Sequence, residues 1–348
     1  MNSEIFKILS IDGGGIRGIF PARFLVELEA DLKKKEGQDK RLCDYFDLIC
    51  GTSTGGIIAL AIALGIPASN ILSLYKNNAK AIFFGKPSVL KYLWKPKYDN
   101  EFLRDLLKRT FDKIQPGGTR LGHCLTRVCI PTLNGEKGKA VVYKTPHHKD
   151  LTRDYQIPVH HVAMSTASAP VFFKPYSFSY KHKQETNEHW VTNNMDGGLI
   201  ANNPTLIGIL EAHCGLNFPL NQLKVLSLGT GHLTLSERSP NEKFGLLHWF
   251  NKKMPLLEMM FSAQSQNVDN MVKYLNEGIG QEAKSSFYYK RIQHQFDEKT
   301  EIKMDETSDD KLKELEKISL KEYQEHNAQI IKEFLSSTKL PYTPLKKL

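Results

Sequence analysis

The stretch Asp47-Leu-Ile-Cys-Gly-Thr-Ser-Thr-Gly-Gly-Ile-Ile-Ala-Leu-Ala-Ile-Ala-Leu64 decides how the rest of the chain is read. Tyr45 to Cys50 has the apolar run of a short buried strand, and Ile57 to Leu64 opens an apolar helix. Between them sits Gly51-x-Ser53-x-Gly55. A strand that turns sharply into a helix strains the residue at the turn, and flanking glycines let the two backbones pass closely. The hydroxyl of Ser53 is then exposed at the carboxyl edge of a sheet, where the helix N-terminus stabilises developing negative charge. This is the layout of a serine nucleophile; its bland counterpart is a tight turn without chemistry.

Working outward, Ile5 to Ile11 predicts a buried strand, followed by Asp12-Gly-Gly-Gly-Ile-Arg-Gly18 and a helix carrying Phe24, Leu28 and Leu32. Successive glycines before a helix can aim several N–H groups at one anion. Gly13-x-Gly15-x-x-Gly18 also matches a dinucleotide-binding pattern. That pattern needs an acidic residue at a second strand end; Glu29 and Asp31 fall inside the first helix instead, which argues against it. The glycine loop thus reads as an oxyanion hole, with Gly13, Gly14, Gly15 and the N–H of Thr54 as donors.

The base is harder to assign from the residues. His232, after Gly229-Thr-Gly231, is the best histidine for a triad, although an exposed loop histidine is the commoner reading. Asp196 lies in a glycine-flexed turn with Gly197 and Gly198. An ordinary carboxylate is a poor base toward a serine hydroxyl, so Asp196 would need desolvation.

Elsewhere, helices are expected over Asn70 to Phe84, Asn100 to Phe111, Val159 to Ala169 and Thr205 to His213. Strands are expected over Leu125 to Pro131, Lys139 to Thr145 and Gln222 to Leu228, with a hairpin turn at Asn134-Gly135. Tyr180 to Thr192 reads as a polar surface loop. Ala79 to Tyr98 mixes five lysines with Phe83, Phe84, Tyr92, Trp94 and Tyr98 and has no acidic residue. Such a stretch suits a lid or a membrane-contacting surface, nucleic-acid stacking, or a plain solvated loop. Beyond Pro240 the pattern is mostly helical and ends in an amphipathic helix with Leu312, Leu315, Tyr323, Ile330 and Phe334 on one side.

The chain has 348 residues, 41% hydrophobic and 24% charged, ordinary values for a globular protein with a large core. A net charge of +9 favours an anionic partner: a phospholipid surface, nucleic acid or a nucleotide. The longest apolar run, Gly55 to Ile66, is too short to span a bilayer, and no signal peptide is visible at Met1 to Lys7. Five irregularly spaced cysteines suit reduced thiols in a cytoplasmic protein. Cys124, Cys129 and the pairs His147-His148 and His160-His161 lack zinc-ligand spacing, so no metal and no cofactor are expected.

Three ordered motifs carry a family resemblance: Asp-Gly-Gly-Gly-Ile-Arg-Gly (12–18), Gly-Thr-Ser-Thr-Gly (51–55) and Asp-Gly-Gly (196–198). With Ala167-Ser-Ala-Pro170, Asn202-Asn-Pro204 and Leu226-Ser-Leu-Gly-Thr-Gly231, they resemble the patatin-like phospholipase family over residues 5 to 235. The resemblance implies a three-layer α/β fold with a central, mostly parallel sheet flanked by helices. It divides the chain into a catalytic core at 1–235 and a mostly helical C-terminal region at 236–348. It further implies a Ser53–Asp196 dyad without histidine, framed by the motif glycines Gly51, Gly55, Gly197 and Gly198, and an oxyanion loop at Gly13 to Gly15 supported by Arg17.

Hydrolysis of membrane phospholipid esters, carried out peripherally at the inner membrane, is the activity that follows. The layout also resembles bacterial members that act in anti-phage defence when switched on by a cyclic oligonucleotide. A cyclic dinucleotide activator and a homo-oligomer are therefore further expectations, with no nucleic-acid polymer as partner. The alternatives are an unregulated soluble esterase or lipase and a catalytically silent lipid- or nucleotide-binding module.

Overall fold

A computed structural model describes residues 4–37, 40–85, 94–182, 185–233, 255–277, 286–297 and 300–348. Strand β1 (Phe6–Ile11) pairs in parallel with β2 (Leu48–Gly51) on one side and β7 (Leu223–Leu228) on the other. Its residues alternate between two cores: Phe6 and Ile8 face one layer, Leu9 and Ile11 the other. A strand buried on both faces is the expected partner of helices on both sides of a parallel sheet.

Beyond β2 lies β3 (Arg127–Asn134), whose turn after Asn134 leads into β4 (Lys139–Lys144). The hairpin expected at Asn134-Gly135 is therefore present. Antiparallel β5 (Tyr176–Lys181) and β6 (Glu188–Asp196) complete that side. On the far side β9 (Tyr288–Ile292) pairs in parallel with β7. Among the described residues this makes an eight-stranded mixed sheet, while short β8 (His232–Leu233) and β10 (Gln295–Phe296) pair separately.

Helices α1 (Ile19–Glu36), α2 (Thr54–Ala63) and α3 (Ala68–Ile82) share one core with α4 (Glu101–Phe111) and α5 (Val159–Ala167). Short α6 (Gly198–Ala201) and α7 (Thr205–Leu210) follow β6, and α7 continues into a π-helical turn at Glu211–Gly215. Ile209 of α7 and Val272 of α8 (Pro255–Glu277) belong to the other core. The last helix, α9 (Asp309–Phe334), packs on α1: Tyr323 meets Phe24 edge to face at 5.1 Å, and Ser319 Oγ donates to Phe20 O at 2.7 Å.

One expectation needs correction. The segment Tyr180 to Thr192 is largely strand, the β5–β6 hairpin, in which Tyr176, Phe178 and Tyr180 point inward while polar residues face water. The region beyond Pro240 is mostly helical among the described residues, as expected, through α8 and α9, with two short strands besides: β9 extends the main sheet and β10 pairs with β8. Of the lysine- and aromatic-rich stretch, residues 86–93 lie outside the described residues.

Candidate active site

The register of the sheet brings the two halves of the site together. The β2–β3 ladder ends at Cys50 and Cys129, just before the Ser53 turn, and further along β3 Thr132 pairs with Asp196 of β6. Ser53 Oγ donates to Asp196 Oδ2 at 2.6 Å. The other carboxylate oxygen accepts the Gly198 N–H at 2.7 Å, which leaves the acid aimed at the hydroxyl.

Ser53 has φ +54°, the strain expected of a strand-to-helix elbow. Close approach explains the flanking glycines: a Cβ on Gly51 would stand 2.1 Å from Gly55 O, and one on Gly55 2.3 Å from Ile11 O. The Ser53 N–H is held by Thr166 Oγ1 at 3.0 Å, and that hydroxyl donates in turn to Pro131 O at 2.6 Å. Sequence reasoning missed Thr166, because a threonine inside an apolar helix carries no local signal.

Asp196 is fully buried, and desolvation pushes its carboxyl up to about 7, against the lowering effect of the bonds from Ser53 and Gly198. The desolvation that an aspartate base requires is thus present. His232 plays no part in this pair. It lies on β8, it does not line the cavity at Ser53, and its Nδ1 has no hydrogen-bond partner among the described residues.

Ser53 and Asp196 open into a cavity of about 600 Å³, counted with its mouth, walled by Tyr75, Phe83, Leu103, Phe172, Phe173 and Phe261. Gly14, Gly15 and Thr54 border the same space. Gly15 has φ +58°, and a Cβ there would lie 2.2 Å from Met304 O, which also accepts the Ile16 N–H at 2.8 Å. The expectation for Gly13 needs correction: its N–H is spent on Asn202 O at 3.0 Å and is not free for an oxyanion. Arg17 does not line the cavity either; its Nη1 lies 3.8 Å from Glu258 on α8.

A second buried cluster holds the glycine loop from below. Arg291 of β9 grips both oxygens of Asp12, donating from Nη1 to Oδ1 at 2.8 Å, and also donates to Ser227 Oγ at 2.7 Å. Ser265 of α8 donates to Asp12 Oδ2 at 3.2 Å and accepts the Asn202 side-chain amide at 2.9 Å. Neither Arg291 nor Ser265 sits in a motif, so local reading could not find them.

Among the described residues three triplets place possible metal-ligand atoms within 4.8 Å of one another: Cys129, His147 and Glu211; His182, Glu185 and His189; and Glu322, Glu325 and His326. None contains Ser53 or Asp196. In the first, Glu211 already accepts His147 Nε2 at 2.9 Å and the Lys144 ammonium at 2.5 Å.

A family model described as patatin-like phospholipase matches residues 9–209. The chain is 38% identical over 209 residues to the cGAMP-activated phospholipase of Escherichia coli strain TW11681, an alignment covering 59% of this chain and 55% of that protein. The chain thus spans about half the length of that relative. It is 34% identical over 275 residues to the cGAMP-activated phospholipase of Pseudomonas aeruginosa strain BWHPSA011 / Pa011, covering 77% and 74% of the two chains. With Patatin-like protein 4 of Arabidopsis thaliana it shares 31% identity over 333 residues, covering 87% and 79%. With a family match across more than half of its length and relatives that align over most of theirs, the chain belongs to the patatin-like phospholipase family.

Proposed function

We propose that the protein is a lipid acyl hydrolase that cleaves membrane phospholipid esters with Ser53 as nucleophile and Asp196 as base. The observation that carries this reading is the 2.6 Å bond from Ser53 Oγ to a buried carboxylate at an apolar cavity of acyl-chain character. Ser53 Oγ attacks the ester carbonyl carbon while its proton passes to Asp196 Oδ2. The oxyanion takes the N–H groups of Gly14, Gly15 and Thr54, the last at the positive end of α2. Collapse expels the alcohol, the lysophospholipid, which receives the proton from Asp196. Water then attacks the acyl-serine as Asp196 accepts its proton, and the fatty acid leaves as Ser53 is restored.

The family membership and the apolar walls favour a lipid over a small soluble ester. Action at the membrane is peripheral in this reading; among the described residues no helix is long and apolar enough to cross a membrane. The names of the two bacterial relatives support a cyclic dinucleotide as activator, and the net charge of +9 suits such an anion.

The test is product analysis by mass spectrometry with phospholipid vesicles, with and without cyclic dinucleotides. Ser53→Ala and Asp196→Asn each remove fatty-acid release, by roughly 1,000-fold or more. Substantial turnover by either purified variant sinks the dyad. A cyclic dinucleotide panel that neither binds nor stimulates removes the activator.

A further inference from the structure

Residues 169–174, of which Ala169, Phe172 and Phe173 line the cavity, are backed by residues 94–98 lying alongside. The Lys97 N–H donates to Val171 O at 2.7 Å and the Tyr98 N–H to Phe172 O at 2.8 Å. Phe83, at the end of α3, closes the same wall: its ring lies 5.3 Å from Tyr98 and 6.2 Å from Phe173. On the inner side Phe83, Phe172 and Phe173 line the cavity. On the outer side Phe84 and Val171, their sequence neighbours, and Trp94 do the opposite. Phe84 is 82% exposed, Trp94 86% and Val171 46%.

Val171 is the sharpest of the three. Its φ of +71° is costly for a β-branched residue. The flanking hydrogen bonds and the Phe173 N–H to Ala169 O at 2.8 Å hold it there. The strained turn drives the two phenylalanines inward and leaves the valine in water. Large apolar side chains held out of a core in this way, beside residues that line an apolar cavity, mark a contact surface.

The charge around the patch is positive. Lys95 and Lys174 are exposed and have no ion-pair partner among the described residues. Lys97 is instead paired with Asp305, whose Oδ2 also accepts Tyr98 OH at 2.7 Å. That pair pins the 94–98 segment to the segment before α9 and neutralises Asp305.

We propose that Phe84, Trp94 and Val171, with Lys95 and Lys174 beside them, form the face by which this protein seats itself on an anionic phospholipid bilayer. The inference rests on the reading of the substrate as a membrane phospholipid and names the surface that delivers it. Aromatic rings sit at headgroup depth and lysines meet lipid phosphates. An acyl chain leaving the bilayer there passes from Phe84 and Trp94 directly to Phe83, Phe172 and Phe173. Continuity between an exposed apolar patch and an apolar cavity favours a lipid surface over nucleic acid, whose stacking would not need the cavity behind it.

The experiment separates seating from chemistry. Flotation with phosphatidylcholine vesicles, with and without phosphatidylglycerol, is measured in the Ser53→Ala background for the parent and for Phe84→Ser/Trp94→Ser. The double variant binds phosphatidylglycerol vesicles about tenfold more weakly. Lys95→Glu/Lys174→Glu loses the preference for phosphatidylglycerol. With Ser53 intact, Phe84→Ser/Trp94→Ser loses about tenfold in vesicle hydrolysis but keeps hydrolysis of a soluble short-chain ester within roughly twofold, which also reports that it folds. Unchanged flotation and vesicle hydrolysis in the double variant overturn the proposal, as does parent protein that binds single-stranded oligonucleotide through this patch and no vesicle. A parent that hydrolyses the short ester but no phospholipid, in vesicles or dispersed in detergent, defeats the substrate reading instead, and flotation then judges the face alone.

Discussion

Arg291 reaches from the last strand of the main sheet to clasp Asp12, a residue 279 positions earlier, at the foot of the glycine loop. Both side chains are buried, so the pair exchanges two desolvation costs for one bidentate contact. Arg291→Ala leaves the Asp12 carboxylate uncompensated. The expected loss is about 3–5 kcal/mol in a denaturant melt. Arg291→Lys, which cannot grip both oxygens, recovers only part of it. A melt unchanged by Arg291→Ala would show that the clasp does not hold the fold.

Under the proposed dyad, the pH dependence of hydrolysis follows from Asp196. With its carboxyl pushed up to about 7, the base is protonated below that pH and available above it. The kcat/KM for a soluble ester rises through an acid limb near pH 7. A limb near pH 4, the ordinary carboxylate range, would mean that Asp196 is not desolvated in solution.

Stability moves the opposite way. The folded pKa of Asp196 lies above its unfolded value of 3.8, so the native state holds the proton more tightly. The cost is absent below about pH 4 and accumulates as pH rises through 7, reaching on the order of 4 kcal/mol. Asp196→Asn relieves it. That variant melts higher than the parent at about pH 8 and no higher at about pH 4, measured by calorimetry. A variant destabilised at both pH values would contradict the sign.

Gly15 tests the oxyanion loop. Gly15→Ala meets both a positive φ and the Met304 carbonyl 2.2 Å away, so the loop must shift. The expected result is a kcat lower by roughly 100-fold, with KM for a soluble ester little changed. An equal rise in KM and no fall in kcat would assign the loop to ground-state binding.

His232→Ala distinguishes the dyad from a triad. It retains turnover within roughly twofold if Asp196 alone serves Ser53. Loss as complete as that of Ser53→Ala would make the histidine essential.

How much of this was legible beforehand depends on whether a feature is local. The elbow at Gly51 to Gly55 is a short-range pattern, a strand, a turn and a helix, and its residues stand where that pattern puts them. The pairing of Ser53 with Asp196 came through the resemblance, since a sheet register linking residues 143 positions apart is written in no single segment. The β5–β6 hairpin hid because an edge strand alternates, and its outward polar half reads like a loop. Strand β9 hid for a related reason: five residues of mixed polarity declare themselves a strand only beside β7. Gly13 was credited with a free N–H because a glycine run looks uniform; only the fold shows that Asn202 has already taken one.

The Met304 carbonyl, which fixes Ile16 and crowds Gly15, has a consequence for synthesis. A growing polypeptide carries Ser53 more than two hundred residues before the groups that lock the glycine loop, Arg291 and Met304. Until they arrive, the loop has no clasp and no stop. A chain grown as far as Asp196 but not yet to Met304 therefore carries both Ser53 and Asp196 beside a glycine loop that nothing has yet locked.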